Sequence, residues 1–207
     1  MTHKPGRFVH DQQPVVLVQN LEQPVHALPM SPHGLTSAPV PNKPKPVPGH
    51  LELHWRRAIN ADIPAVRALV FGVLTEYGLK PDPTGTDADL ADIETAYATG
   101  CFIVLETGTL EIIGSIAWLP AGDVTMEIRK LYLARAWRGR GLGNFLLRHA
   151  LAEARVQNVR QVVLETATVL REAHQLYLRH GFLPYSPTHA APRSDLAMKL
   201  DLQPPTN

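Results

Sequence analysis

The chain of 207 residues carries 20 basic and 19 acidic side chains, so its formal net charge is only +1. This balance argues against a protein that coats a polyanion. One cysteine, Cys101, is too few for an intrachain disulfide or a cysteine-based metal cage, which favours a reducing, cytoplasmic setting. No apolar run approaches the ~18 to 20 residues of a membrane helix, so we expect no membrane partner.

The first part of the chain is rich in proline. Ten of the 19 prolines lie within residues 1–50, where Phe8 is the only aromatic side chain. A segment with so few large apolar groups and so many fixed φ angles cannot bury enough surface to offset the entropy of ordering. We therefore predict a disordered proline-rich tail over residues 1–50 and a single domain over residues 51–207. Three roles remain open for the tail: a ligand for a partner's aromatic groove, a flexible spacer and an inert extension.

The remaining residues consist of strand and helix patterns separated by turn signals. In chain order they predict a strand at 53–58, helices at 63–74 and 89–98, strands at 101–106, 112–119 and 126–134, a helix at 142–154, a strand at 161–166, a helix at 171–180, and strands at 182–185 and 195–202. Hairpin-joined strands followed by one helical crossover imply a sheet that is antiparallel at its start and parallel at its centre. We predict an α/β (α+β) domain with a mixed central sheet of about six to seven strands flanked by helices.

The most informative segment is the glycine-rich loop before the predicted helix at 142–154. It comprises Arg138, Gly139, Arg140, Gly141, Leu142 and Gly143. Glycine lets the backbone approach a ligand without Cβ obstruction, and the first amides of a helix point at whatever binds its N-terminus. The two arginines add mobile positive charge, which favours a phosphate or pyrophosphate over a carboxylate. A tight strand-to-helix turn with solvated arginines would use the same residues.

Three other kinds of binding site also combine glycines, a helix N-terminus or basic side chains. A P-loop is excluded because the Gly-Lys-Ser/Thr ending is absent. A dinucleotide-binding fold has a different glycine spacing, and only about 40 residues follow Glu165, too few for its remaining strand-helix units. Residues 129–160 carry eight basic side chains and one acid, Glu153, but no helix-turn-helix or zinc-finger pattern accompanies them. We therefore expect no nucleic-acid partner.

Two segments resemble the signatures of a known family. Arg138-x-x-Gly141-x-Gly143 resembles the Arg/Gln-x-x-Gly-x-Gly/Ala fingerprint of the GNAT acyltransferase superfamily, and Ala-x-x-Leu-Tyr-x-Arg-x-Gly-Phe at residues 173–182 resembles its second signature. The resemblance covers about residues 53–202. At the place of the family's usual asparagine this chain has Leu170, which departs from the pattern.

The resemblance implies binding of acetyl-coenzyme A as co-substrate. By this likeness the pyrophosphate binds the amides of residues 138–143, and the backbone groups of Leu131 and Leu133 bind the pantetheine arm. The amide of Leu131 would polarise the thioester carbonyl. Tyr177 occupies the place of the family's tyrosine beside the sulfur of coenzyme A and would protonate the departing thiolate. A buried tyrosine that fills a gap between helix and sheet is the alternative reading.

An amine that attacks a thioester also needs a base. Glu127, which lies on the strand that leads to the glycine loop, is the best candidate, because burial would raise its pKa towards that of a useful base. A half-exposed glutamate that pairs with Arg129 or Lys130 is an equal alternative. Glu165, Asp195 and a chain of water molecules are the remaining candidates.

The last inferences concern metals and the acceptor. His174 and His180 are six residues apart and share no helix face, so we expect no metal site. Residues 81–94 contain five acids and no basic residue, a field that could attract a cationic amine. We predict acetyl transfer to a primary amine of a small molecule, an amino acid or a polypeptide. The alternative is a non-catalytic coenzyme A sensor or scaffold.

Overall fold

The computed structural model describes residues 17–20, 52–187 and 193–202. Within these residues eight strands form one sheet. The strands are β1 (Leu17–Asn20), β2 (Glu52–Arg57), β3 (Cys101–Thr107), β4 (Ile112–Gly122), β5 (Thr125–Leu133), β6 (Gln161–Thr166), β7 (Leu183–Tyr185) and β8 (Leu196–Asp201). The α-helices are α1 (Ile63–Glu76), α2 (Ile93–Ala96), α3 (Leu142–Val156) and α4 (Arg171–Arg179).

The sheet is mixed, as predicted. Its strand order is β1-β2-β3-β4-β5-β6-β8-β7, with parallel pairing between β1 and β2 and between β5 and β6. The other neighbouring strands are antiparallel. The helix α3 provides the crossover from β5 to β6, because parallel neighbours cannot be joined by a tight turn. The prediction of a sheet that is antiparallel at the start and parallel at the centre is therefore confirmed.

One strand lies inside the predicted tail. The four residues of β1 pair in parallel with the first residues of β2, so the described sheet has one strand more than the six to seven predicted. Pairing at a sheet edge uses backbone hydrogen bonds and does not require large apolar side chains. The other residues of the predicted tail lie outside the described part of the chain, and its disorder stays a prediction.

The helices cover both faces of the sheet. On one face α1 buries Val66, Val70 and Leu74, at a spacing of four residues, against Phe102 and Val104 of β3. On the other face α3 buries an apolar stripe against β4, β5 and β6; its fully or nearly fully buried members are Leu142, Leu146, Leu147, Ala150, Leu151 and Ala154. Each face of the sheet thus has its own apolar core, and the loops at the ends of the strands remain available for a site.

The predicted helix at 89–98 is shorter in the structure. Ala88–Ala91 forms a 3-10 turn, and only Ile93–Ala96 is α-helical. Asp92 interrupts the helix because its side chain accepts a hydrogen bond from the amide of Thr95 at 3.1 Å and caps α2. A capping aspartate adopts a non-helical backbone, so the predicted segment divides at this residue.

The parallel strands β5 and β6 separate part of the way along. Their pairing ends at Ile128 opposite Leu164, although β5 continues to Leu133. On its other side β5 has a bulge, because Arg129 pairs with Ala117 while Tyr132 pairs with Ser115, which leaves two residues of β5 opposite one of β4. The bulge opens a gap between β5 and β6 at their carboxyl ends.

Lys130 forms the centre of this bulge. Its φ angle of 54° lies in the left-handed region, which a side chain with a Cβ seldom adopts. Its carbonyl oxygen accepts a hydrogen bond of 2.7 Å from the buried hydroxyl of Ser115. The strained backbone is therefore held by a specific partner on the neighbouring strand.

Candidate functional site

A large cavity lies where β5, the glycine loop and the start of α4 meet. We call it cavity A; its volume is about 540 Å3. Seven of the eight residues predicted to bind the co-substrate line it, namely Leu131, Leu133, Arg138, Gly139, Gly141, Leu142 and Gly143. Arg140 does not line cavity A. Its guanidinium group lies 5.1 Å from the centre of the half-buried Trp137 ring.

The glycine loop ends in a helix N-terminus without a side-chain cap. Gly139 and Gly141 have φ angles of 73° and 79°, a left-handed conformation that glycine adopts without steric cost. The first intrahelical hydrogen bond runs from the amide of Phe145 to the carbonyl oxygen of Gly141, at 2.9 Å. The amides that precede Phe145 in α3 therefore have no acceptor within the helix. Such a group of amides suits an anion, and it lies at the wall of cavity A.

The structure corrects the expectation that Arg138 supplies mobile charge. Its two terminal nitrogens each donate a hydrogen bond of 2.9 Å to the carboxylate of Glu76, and its Nε donates to the carbonyl oxygen of Leu133 at 2.9 Å. One terminal nitrogen also donates to the hydroxyl of Tyr77 at 3.1 Å. Because these acceptors use the guanidinium group, the side chain of Arg138 fastens the loop to α1 and β5. Any anion in the loop would depend on the backbone amides.

A second, smaller cavity occupies the gap between β5 and β6. We call it cavity B; its volume is about 100 Å3. Both predicted catalytic residues, Glu127 and Tyr177, line it. The two cavities meet, because four residues line both of them: Leu131, Tyr132, Leu170 and Ala173. The predicted binding and catalytic residues are thus brought together on one side of the sheet.

Glu127 has features of both interpretations that the sequence left open, a buried base and a half-exposed partner of a cation. Its side chain is 34% exposed, and its Oε1 lies 3.7 Å from Nε of Arg129, an ion pair without a hydrogen bond. Burial raises the pKa of Glu127 above its usual value, against the opposing effect of the Arg129 charge, and nearby Glu165 contributes in the same direction as burial. A carboxylate with a raised pKa in a cavity can accept a proton near neutral pH.

Tyr177 is buried, with 5% of its surface exposed, and its ring packs 5.7 Å from that of Phe182. Its hydroxyl donates no hydrogen bond to any described residue. Burial raises the pKa of Tyr177 above its usual value, which keeps the phenol protonated. The same burial makes proton transfer to a thiolate less favourable than the ordinary tyrosine pKa of ~10 suggests.

Tyr132 is a candidate that the sequence reasoning missed. It follows the bulge on β5 and lines both cavities, and burial raises its pKa to about 12. The negative charge of an ionised Tyr132 would raise the pKa of Tyr177 further, so the two phenols are close enough to interact. One signal is visible in the sequence, an aromatic residue between Leu131 and Leu133, but strict strand alternation would direct its side chain away from the site. The bulge changes that alternation.

Several acids of residues 81–94 are partnered inside the protein. The fully buried carboxylate of Asp87 accepts hydrogen bonds from Lys130 at 2.8 Å and from both terminal nitrogens of Arg193 at 2.7 and 2.8 Å. Although burial opposes it, these hydrogen bonds hold the pKa of Asp87 well below its usual range. Asp89 lies 3.1 Å from the Lys130 ammonium, and Asp92 caps α2. This segment is therefore a structural anchor rather than a free acidic field for an amine.

Asp195 is partnered at the loop after β6. Its two carboxylate oxygens accept hydrogen bonds of 2.6 Å from the amide and the hydroxyl of Thr168. These bonds join the loop to the start of β8 and occupy Asp195, one of the lesser base candidates. The N-cap of α4 is Leu170, which offers no side-chain oxygen.

Within residues 17–20, 52–187 and 193–202, no group of three or more histidine, cysteine, aspartate or glutamate side chains could hold a metal ion. In the same residues no helix is both long and apolar enough to span a bilayer.

Known proteins resemble this chain in sequence and in fold. The sequence pattern of the acetyltransferase (GNAT) family matches residues 68–182, more than half of the chain. The rat protein N-acetyltransferase 8F1 is 38% identical over 101 residues, 45% of this chain and 45% of the rat protein. The Escherichia coli protein named uncharacterized N-acetyltransferase YjgM is 32% identical over 133 residues, 61% of this chain and 80% of the bacterial protein. The chain thus spans less than half of the rat relative.

Solved structures of low sequence identity share the fold. An acetyltransferase of the GNAT family from Staphylococcus aureus superposes with a TM-score of 0.67 at 18% identity, over 73% of this chain and 99% of that chain. An acetyltransferase from Streptococcus agalactiae gives the same TM-score at 21% identity, over 72% of this chain and 98% of that chain. The resemblance that the glycine loop indicated is confirmed: the chain belongs to the acetyltransferase (GNAT) family, whose members are acyltransferases that use acetyl-coenzyme A.

Proposed function

We propose that the protein transfers an acetyl group from acetyl-coenzyme A to the primary amine of a small molecule or an amino acid, by direct attack in a ternary complex. One observation carries the proposal: cavities A and B meet where β5 and β6 separate. Cavity A has the uncapped helix N-terminus, and cavity B has the ionisable side chains. A donor and an acceptor bound in the two cavities would therefore meet at Leu131 and Tyr132.

Cavity A is the proposed donor site. The amides at the start of α3 would bind the pyrophosphate, because they have no acceptor within the helix and lie at its positive end. Arg138 would contribute through its backbone, since its side chain is bound to Glu76. The backbone of Leu131 and Leu133 would bind the pantetheine arm, as β5 beyond Ile128 has no strand partner in β6.

The chemistry requires a base, an electrophile and an acid. The ammonium of the acceptor loses a first proton to Glu127 through water, and the lone pair that this frees forms a bond to the thioester carbonyl carbon. The nitrogen of the resulting adduct loses its second proton to solvent. The amide of Leu131 stabilises the negative charge that develops on the carbonyl oxygen. The carbon-sulfur bond breaks, Tyr177 gives its proton to the thiolate, and solvent reprotonates Tyr177. The products are the acetamide and coenzyme A, with one proton released for each ammonium consumed.

Water is part of this proposal. Glu127 and Leu131 are four positions apart, which at ~3.3 Å for each residue of a strand places them about 10 to 13 Å from each other. A carboxylate at that separation cannot contact an amine at the thioester, so a water molecule in cavity B would carry the proton. The raised pKa of Glu127 supports its role as the terminal acceptor.

Two measurements test the proposal. Calorimetry with acetyl-coenzyme A should give saturable binding, and release of free thiol should be detectable with members of a panel of amino acids, small amines and peptides. Absence of saturable binding would overturn the assignment. Binding without turnover of any amine would indicate the alternative, a coenzyme A sensor or scaffold, and turnover of peptides alone would indicate a protein amine. The cytoplasmic location and the domain limits of 51–207 stay predictions.

A further inference from the structure

Three cations line cavity B, and two of them have their hydrogen-bond donors in use. Lys130 is surrounded by three oxygens, from Thr86 at 3.1 Å, Asp87 at 2.8 Å and Asp89 at 3.1 Å. Lys130 donates hydrogen bonds to the oxygens of Thr86 and Asp87, and Asp89 holds it as an ion pair. Arg193 binds the carboxylate of Asp87 through both terminal nitrogens. Neither group has the free donor geometry needed to bind an acceptor molecule.

The third cation, Arg129, has no hydrogen bond to any described residue. Its side chain is 28% exposed, and its nearest carboxylate atoms, in Glu127 and Asp89, are both 3.7 Å away. Those distances are too long for the charge-assisted hydrogen bonds that guanidinium groups form with carboxylates, which are ~2.7 to 2.9 Å. The group is partly buried and lines cavity B, and among the residues that the structure describes its five N–H donors have no hydrogen-bond acceptor.

We propose that Arg129 binds a carboxylate of the acceptor, so that the acceptor is a small α-amino acid, with the carboxylate on the carbon that bears the amine. This inference rests on the proposed function and narrows its substrate class. A planar guanidinium matches a carboxylate in a bidentate arrangement, which gives both affinity and orientation. An amine without a carboxylate would leave these donors unpaired in the cavity, and unpaired buried donors cost free energy.

The position of Arg129 on β5 fits this role. It lies two residues after Glu127 and two residues before Leu131, so it is about 7 Å along the strand from each. In an α-amino acid the amine is only two bonds from the carboxylate carbon. A carboxylate held at Arg129 would therefore keep the amine between the proposed base and the amide that polarises the thioester.

Charge and volume agree with a small zwitterion. Such a molecule adds one positive and one negative charge, so its net charge does not disturb a cavity where Glu127 and Glu165 already face Arg129, Lys130 and Arg193. The volume of cavity B, about 100 Å3, is far smaller than the volume of about 540 Å3 of cavity A. This space favours an acceptor with few atoms beyond its amine and carboxylate.

The test compares matched acceptors at saturating acetyl-coenzyme A. The panel is the set of α-amino acids, each with its own primary amide and its decarboxylated amine, and thiol release gives kcat and KM. We expect kcat/KM for the best amino acid to exceed that of its amide and amine at least about 10-fold. Arg129→Met should abolish this preference by raising KM for the amino acid, while KM for the amide stays unchanged. Arg129→Lys should restore part of it.

Arg160→Met is the control for loss of a positive charge. Arg160 is exposed and precedes the first residue of β6, at the end of the strand opposite to cavity B. The Arg160→Met variant should keep the wild-type preference for the amino acid over its amide. Equal turnover of amino acid and amide by the wild type, or an unchanged preference in Arg129→Met, would overturn this inference and leave the proposed function intact. Saturable acetyl-coenzyme A binding with no turnover of any panel member would overturn both.

Discussion

Arg138 and Glu76 form a bidentate ion pair, with two N–H···O distances of 2.9 Å, between residues that are 62 positions apart in the chain. The pair joins the glycine loop to the last residue of α1. Tyr77 extends it, because its hydroxyl accepts from Arg138 at 3.1 Å and donates to Glu172 of α4 at 2.9 Å. Three elements that line cavity A are therefore connected by side chains of a single cluster.

The first prediction concerns this ion pair. We expect Glu76→Gln to lower the free energy of unfolding by only about 0.5 to 1 kcal/mol, because both side chains are partly exposed. Affinity for acetyl-coenzyme A should fall more clearly, since the loop amides lose an anchor. Urea unfolding and calorimetry measure the two effects. Glu111→Gln, at an exposed turn residue, is the control; equal cofactor affinity in both variants would show that the pair does not position the loop.

The second prediction concerns Gly141. Its φ angle of 79° should make Gly141→Ala cost about 1 to 2 kcal/mol of unfolding free energy, because a Cβ disfavours the left-handed region. The same strain should rotate the amides that follow and weaken acetyl-coenzyme A binding. Gly72→Ala is the matched control: it lies in α1 with open space around an added Cβ, and should stabilise the fold by about 0.5 to 1 kcal/mol. A stable Gly141→Ala with normal binding would refute the assigned role of the loop.

The elements that sequence patterns predicted well are those with local causes. The strand at 161–166 alternates buried and partly buried residues and has the predicted bounds. The glycine loop was recognisable because two left-handed positions there are both glycine. The helix at 89–98 was predicted too long, because apolar spacing does not reveal that Asp92 would cap a new helix instead of continuing the old one.

The long-range contacts of the site could not be predicted in this way. Lys130 and Asp87 are 43 positions apart, and Arg193 and Asp87 are 106 apart. Nothing in the local sequence marks these residues as partners, so the sequence alone does not distinguish a structural role of the acids of 81–94 from a role in attracting a substrate. The left-handed Lys130 was equally hidden, since a lysine in a strand pattern gives no sign of a bulge. The bulge in turn brings Tyr132 to both cavities.

The third prediction concerns the buried carboxylate of Asp87. Its pKa is lower in the folded state than the ~3.9 of an unfolded chain, so its contribution to stability is complete above about pH 5 and is lost as the pH falls through ~4 towards the folded value. Asp87→Asn leaves Lys130 and Arg193 without their shared partner and should cost about 3 to 5 kcal/mol at pH 7.

Urea unfolding as a function of pH tests whether the stability contributed by Asp87 falls as the pH is lowered. The deficit of Asp87→Asn should be largest at neutral pH and clearly smaller at about pH 2, because the carboxylate of the unfolded wild type is then protonated while that of the folded wild type keeps its charge. Asp123→Asn, at an exposed turn position, should show no such deficit. A deficit that is equally large at both pH values would mean that packing, and not the charge of Asp87, stabilises the segment.

The fourth prediction concerns Glu127. A base acts in its deprotonated form, so kcat/KM should fall as the pH drops through the raised pKa of Glu127, above its usual ~4.3. Glu127→Gln should lower kcat/KM by about 100-fold or more and should remove the fall in rate at the pKa of Glu127. The pH dependence that comes from deprotonation of the acceptor amine should remain. The pH profile of thiol release measures both. A retained acid limb in Glu127→Gln would assign the base role to Glu165 or water.

The last prediction tests which of the two tyrosines of cavity B, Tyr177 or Tyr132, donates the proton to the thiolate. If Tyr177 is the acid, Tyr177→Phe should lower kcat by about 100-fold or more and leave acetyl-coenzyme A affinity nearly unchanged, because the substitution removes a single oxygen atom and keeps the buried ring. Tyr132→Phe is the matched substitution on the opposite wall, with a pKa also raised by burial. The raised pKa of both groups keeps them neutral over the working range, so neither should add a basic limb near pH 8 in the wild type. A larger loss of kcat in Tyr132→Phe than in Tyr177→Phe would make Tyr132 the proton donor, and equal small losses would assign the proton to water.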